Sequence, residues 1–156
     1  MSSGEHHYQS HLVWDGNRGD GTSSYQTYGR EYRIEIAGKP VLEGSADAAF
    51  RGAADKLNPE DLFLAALSSC HMLSYLALCA KYGVNVIAYE DNAIGTMKED
   101  GRGGGKFVEV VLQPVVTIAN PEKRERALEL HERAHEQCFI ASSCSVPVHH
   151  RAEVRG

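Results

Sequence analysis

Residues 59 to 82 constrain the fold of this chain more than any other stretch. Pro59-Glu60-Asp61 opens them, an apolar run from Leu62 to Ala80 fills them, and Gly83 follows. Asn58 is placed to cap, Pro59 suits a first helical position, and Glu60 and Asp61 face the positive end of a helix dipole. Gly83 can take the left-handed conformation that closes a helix. The stretch therefore predicts one helix over 59–82, apolar nearly all round and so central to the fold. Ser68, Ser69, His71 and Ser74 interrupt the run, which reads as a buried helix and not a membrane span.

A second Asn-Pro-Glu start at Asn120-Pro121-Glu122 predicts a helix over 121–137, again with Asn as the cap. Its first half is charged and a mixed face carries Ala127, His131, Ala134, His135 and Cys138, which reads as a surface helix with one buried side. The remainder reads as strand: 11–14, 22–28 and 31–36, then 85–97 and 107–118 as a long hairpin around Gly101-Arg102-Gly103-Gly104-Gly105, and a last strand over 145–154. Residues 40–50 read as extended surface chain. Strands before, between and after two helices make an α+β fold, and 156 residues fit a single domain over 1–156.

Composition narrows the function. A net charge of -5 with no basic stripe argues against a nucleic-acid partner, and no stretch calls for a membrane partner. Met1 to Tyr8 lack the basic and apolar regions of a secretory signal, so a cytoplasmic location is expected, with the four cysteines as thiols at rest.

His131-Glu132-Arg133-Ala134-His135 matches the pattern in which two histidines one turn apart bind zinc. The third histidine of the extended pattern would fall at Ala141, and Cys138, one turn after His135, is placed to close a three-ligand face instead. The economical reading leaves His131 and Glu132 partly solvated and packs His135 near Cys138. His149-His150 reads as a solvated pair. The glycine stretch lacks the Gly-Lys-Ser/Thr ending of a phosphate loop and is a turn. Cys79, about half a turn from Cys70 around the helix, reads as a small buried hydrophobe. Cys70 differs, because Ser68, Ser69, His71 and Ser74 surround it with polar groups that need a pocket or partners.

The run from Asn58-Pro59-Glu60-Asp61 to Cys70, with Ala134-His135-Glu136-Gln137-Cys138 much later, resembles the OsmC/Ohr family of thiol peroxidases over most of the chain. The resemblance implies an OsmC-like fold, with antiparallel sheets wrapped around a long central helix in an intertwined homodimer. It also implies an active site at the subunit interface, reduction of organic hydroperoxides, an external dithiol reductant and no cofactor. Cys70 would be the peroxidatic thiol, Cys138 the resolving thiol, and Glu60 the acid that pairs with a catalytic arginine. Arg18 falls at the family's arginine-bearing turn, with Arg30, Arg33 and Arg51 as alternatives. Phe139 stands where many members have proline, and His71-Met72 follows Cys70, which points to a divergent branch. Cys144 is an alternative resolving thiol.

Glu60 and Cys70 are ten residues apart, about 15 Å along a straight helix, so a role for both favours a site built across a dimer. Two rival readings come from other classes: a non-catalytic dimeric module that binds a small ligand and carries inert buried cysteines, and a zinc hydrolase using His131 and His135.

Overall fold

A computed structural model describes residues 4–156, which divide into two compact units, one ending at Leu62 and one running Phe63–Gly156. In the first unit, β1 (His11–Trp14), β2 (Tyr32–Glu35) and β3 (Leu42–Gly44) form an antiparallel sheet in that order, with Leu12 opposite Ile34 and Trp14 opposite Tyr32. Residues 22–28, expected as a strand, are turns. The Ser23 N–H donates to the Asp20 carbonyl and the Thr27 N–H to the Ser24 carbonyl, and the Ser24 hydroxyl donates to Gln26. Short hydroxyl side chains here offer the backbone local partners in place of a ladder. Residues 40–50 are not plain extended chain either. They hold β3 and a 3-10 turn, Ala48–Phe50, capped by the Asp47 carboxylate on the Ala49 N–H.

The long helix, α1 (Pro59–Lys81), forms where the sequence places it. Its start is reciprocal: the Asp61 N–H donates to Asn58 Oδ1 at 2.8 Å, and the Asn58 N–H donates to the Asp61 carboxylate at 3.2 Å. It stops at Gly83, whose φ of +76° an L side chain would resist. Asn120 does not cap the second helix as expected. Its side chain binds the Gly83 turn, donating to the Gly83 carbonyl (2.8 Å) and accepting from the Asn85 N–H (3.0 Å). A 3-10 turn, Pro121–Lys123, then leads into α2 (Arg124–Gln137), and the short α3 (Phe139–Ser142) follows.

The expected long hairpin pairs as read but splits at its middle into β4 (Val86–Asp91), β5 (Ile94–Glu99), β6 (Gly105–Leu112) and β7 (Pro114–Ile118). The Asp91 carboxylate causes the break. It accepts the Gln113 N–H and the Ser68 hydroxyl, each at 2.6 Å, while the Gln113 side chain donates to the Asn92 carbonyl. Each long strand thus leaves one sheet and enters another. The last strand divides likewise, into β8 (Val148–His150) and β9 (Glu153–Arg155). The second unit has two sheets, β4-β7-β9 and β5-β6-β8, and β8 and β9 run parallel to β6 and β7, which corrects the expectation of wholly antiparallel sheets.

Two apolar clusters hold the second unit together. Tyr75, Leu78, Val116, Ile118, Leu130 and Val154 dominate one; Leu67, Val110 and Leu112, with Phe63, Phe107 and Val148, make the other. Each fully buried side chain of this size contributes about 1.5–3 kcal/mol. On α1 the buried stripe is Leu67, His71, Tyr75 and Leu78, whereas Ala65, Ser69, Leu73 and Ala77 lie exposed one turn apart, with Leu73 62% accessible. By length and apolarity α1 passes as a bilayer-crossing helix. Ser68 bound to Asp91 and His71 bound to His131 instead tie its middle to the strands and helix of a folded unit.

Candidate active site

The two cysteines of the expected pair meet. Cys70 sits midway along α1, half-buried. Cys138 is 1% exposed, at the junction where α2 ends and α3 begins, and its sulfur accepts the Ala141 N–H at 3.4 Å. The two side chains are near enough for the Cys70 thiol to perturb that of Cys138, and both are free thiols. Burial pushes the Cys138 thiol pKa up, the Ala141 N–H offsets part of that, and the Cys70 sulfur adds to the rise. The site therefore pairs a half-buried cysteine with a buried one whose thiol its surroundings favour in the protonated form.

The other cysteines stand apart. Cys79 is buried in the first cluster against Tyr75, and desolvation raises its pKa. Cys144 is half-buried in the second cluster, with its thiol turned to the Ala141 carbonyl at 3.6 Å.

The histidines depart most from expectation. His131 is fully buried rather than partly solvated, and its Nδ1 shares a 3.0 Å hydrogen bond with Nε2 of His71, itself 1% exposed. The two rings are parallel within 3°, and Tyr75 stacks on His131 at 3.9 Å. Burial lowers the pKa of His71 to about 4 and of His131 to about 3, with neighbouring imidazoles adding to the shift. His150 is half-buried rather than solvated. It bonds Glu132 at 3.0 Å and lies 5.8 Å from His71 and 6.0 Å from His131, while His135 lies 6.2 Å from His150. The zinc reading loses its geometry, because His131 turns to His71. Among the described residues no three His, Cys, Asp or Glu side chains stand where they could share a metal ion.

Sequence reasoning passed over this pair, although a signal was present. Ala127, Leu130, His131, Ala134 and Cys138 recur at three- and four-residue steps, the spacing of one buried helix face.

In the first unit, Arg18 does not meet Glu60. Its guanidinium binds Glu31 at 3.1 Å on the surface. Arg33 is held between Asp15 and Glu35, and Arg51 reaches only the Gln26 carbonyl. Arg30 alone of the four lines a cavity with Glu60, a pocket of about 250 Å³ that Tyr32 and Phe50 also line. Its fork donates to the Tyr28 and Tyr25 carbonyls and lies over both tyrosine rings, 3.7 and 4.5 Å from their centres. Among the described residues no carboxylate pairs with it, so its charge is uncompensated. Burial, then the charges of Glu60 and Asp61, raise the pKa of Tyr32. Arg30 also lines an apolar cleft of about 550 Å³ with Leu12, Trp14, Tyr32, Ile34, Pro59 and Leu62.

The family model for OsmC-like proteins matches residues 52–151. The chain belongs to the OsmC-like family. No curated protein matches it. Among solved structures, this OsmC-like chain is similar to an OsmC-like protein of unknown function from Vibrio cholerae, at 29% identity and a TM-score of 0.84 over 95% of this chain and 99% of that one. It shares its fold with an organic hydroperoxide resistance protein from Elizabethkingia anophelis, at 18% identity and TM-score 0.70 over 99% of each chain. The same holds for one from Legionella pneumophila, at 19% identity and TM-score 0.70 over 97% of this chain and 100% of that one.

Proposed function

We propose that this protein is a cysteine-based peroxidase that reduces organic hydroperoxides. The observation that carries the reading is the proximity of the Cys70 and Cys138 side chains, which come from α1 and from the α2–α3 junction. Their unequal exposure supports unequal roles. The accessible Cys70 thiolate attacks the peroxide's terminal oxygen, the O–O bond breaks, and the alkoxide leaves and is protonated to the alcohol. The buried Cys138 thiol then condenses with the Cys70 sulfenic acid, releasing water and leaving a disulfide that an external dithiol reduces. Four free cysteines suit a reducing cytoplasm.

Attack requires a cation at the thiolate. Of the four candidate arginines the cavity shared with Glu60 favours Arg30, because Arg18 is already neutralised by Glu31. α1 is unbroken, so Glu60 and Cys70 stay about 15 Å apart along its axis within one chain. Arg30 and Glu60 therefore serve the Cys70 of a partner in a homodimer, and the apolar cleft beside Arg30 takes the peroxide's organic tail. The exposed stripe of Ala65, Ser69, Leu73 and Ala77, with the 82% exposed Phe139, supplies the face through which a second copy packs. Each subunit is one OsmC-like domain over 1–156, a reading supported by the match along nearly the whole Vibrio cholerae chain.

Mass spectrometry after one equivalent of an alkyl hydroperoxide tests the assignment. A Cys70–Cys138 bridge is expected, and a Cys70–Cys144 bridge would move the resolving role to Cys144.

A further inference from the structure

His71 and His131 take no part in the thiol chemistry, yet they are the fully buried histidines among the described residues. Burying two imidazoles is costly, and an apolar pair of similar volume would fill the space at less expense. Their position relative to the cysteines supplies the reason for keeping them. His71 follows Cys70 directly on α1. His131 lies on α2, whose last turn ends at Cys138, two turns further on. The bond at 3.0 Å between the rings and the bond from the Tyr75 hydroxyl to the Ala127 carbonyl at 2.7 Å tie α1 to α2 one turn apart. Apolar contacts such as Ala134 and Leu130 against the same core are non-directional and tolerate sliding; two hydrogen bonds do not. A slip of α2 along α1 would carry the Cys138 sulfur away from Cys70 by the same distance.

The tautomer follows from burial. Nε2 of His131 is buried without a partner. If Nδ1–H of His131 donates to Nε2 of His71, the orphan is a bare lone pair; the opposite arrangement would bury an unsatisfied N–H, which costs more. His150 faces the pair but is engaged by Glu132.

We propose that the His71–His131 hydrogen bond is a positioning link that sets the register of α2 on α1 and so holds the Cys138 sulfur at Cys70. The chemical consequence rests on the peroxidase reading: the Cys70 sulfenic acid is closed to a disulfide, with loss of water, before more peroxide oxidises it to sulfinic acid.

The test is the equilibrium between the Cys70–Cys138 dithiol and its disulfide in glutathione redox buffers, with no peroxide present. His131→Asn keeps an amide N–H near the place of Nδ1, His131→Gln carries the amide one carbon too far, and His71→Leu removes the acceptor. The disulfide formation constant is expected to stay within about threefold of wild type for Asn and to fall at least tenfold for Gln and Leu. If the Leu variant does not fold, the contrast between Asn and Gln still decides. An unchanged constant in Gln and Asn overturns the link and leaves the peroxidase reading intact. A wild type that forms no Cys70–Cys138 disulfide overturns both. Cobalt(II) bands that saturate at one ion per chain in wild type and vanish in His71→Leu would make the pair a metal ligand set and also overturn the link. Dimedone capture after one equivalent of peroxide then reads the consequence, with more trapped sulfenic acid expected in Gln than in Asn.

Discussion

Cys138 and Cys79 are alike in burial and differ in what surrounds the sulfur. Both are 1% exposed, and burial pushes both thiols upward. Cys79 packs in an apolar cluster against Tyr75, whereas Cys138 stands at a helix junction with its sulfur against Cys70 and under the Ala141 N–H. On the proposed function, what sets Cys138 apart is the neighbouring sulfur and backbone, not burial.

The sharpest way to break the comparison is to remove each sulfur in turn. Cys138→Ser is expected to stop turnover after one equivalent of peroxide and leave Cys70 as sulfenic and then sulfinic acid, read by dimedone labelling and intact mass. Cys79→Ala in the same assay is expected to keep the wild-type rate and to lose about 1 kcal/mol in urea unfolding. Equal kinetic losses would mean that packing, not sulfur contact, governs both sites.

A smaller effect carries the same contrast to the arginines, where Arg18 is neutralised by Glu31 and Arg30 is not. Arg30→Met should lower kcat/KM for cumene hydroperoxide by about a hundredfold, as loss of one preorganised charge does. Arg18→Met should change it by less than about threefold, as expected for an exposed, already paired group. Mixed dimers of Arg30→Met with Cys70→Ser should regain one working site if the arginine acts across subunits, and none if it acts within its own.

A third effect is on stability. The folded protein keeps His71 neutral down to about pH 4 and His131 down to about pH 3, while in the unfolded chain each takes a proton below about 6.5. The unfolded state thus binds more protons in between, so stability is full above pH 6.5 and falls as pH drops toward 4. The slope approaches about 1.4 kcal/mol per pH unit for each histidine. Urea unfolding from pH 7.5 to 4.5 measures it, and His71→Leu with His131→Leu together should flatten the curve.

Elements governed by local chemistry were legible in the chain. Asn58, Pro59, Glu60 and Gly83 fix both ends of α1 within a residue, because capping acts over three or four positions. What the sequence hid depended on partners distant in the chain. Asn120 looked like a cap and serves Gly83 instead; Asp91 and Gln113 split two strands that read as continuous; His131, flanked by Glu132 and Arg133, looked solvated until His71 met it. The candidate site divides the same way. The thiol pair was readable as a pattern, but the choice among four arginines needed the carboxylates that neutralise three-dimensional neighbours, which no spacing reveals.

The most direct measurement is peroxide consumption by wild type and Cys70→Ser, with cumene, tert-butyl and hydrogen peroxides in parallel and a dithiol in excess. The account predicts that wild type consumes both organic peroxides faster than hydrogen peroxide and that Cys70→Ser falls to the rate without protein. Wild type consuming none of the three faster than Cys70→Ser would contradict it.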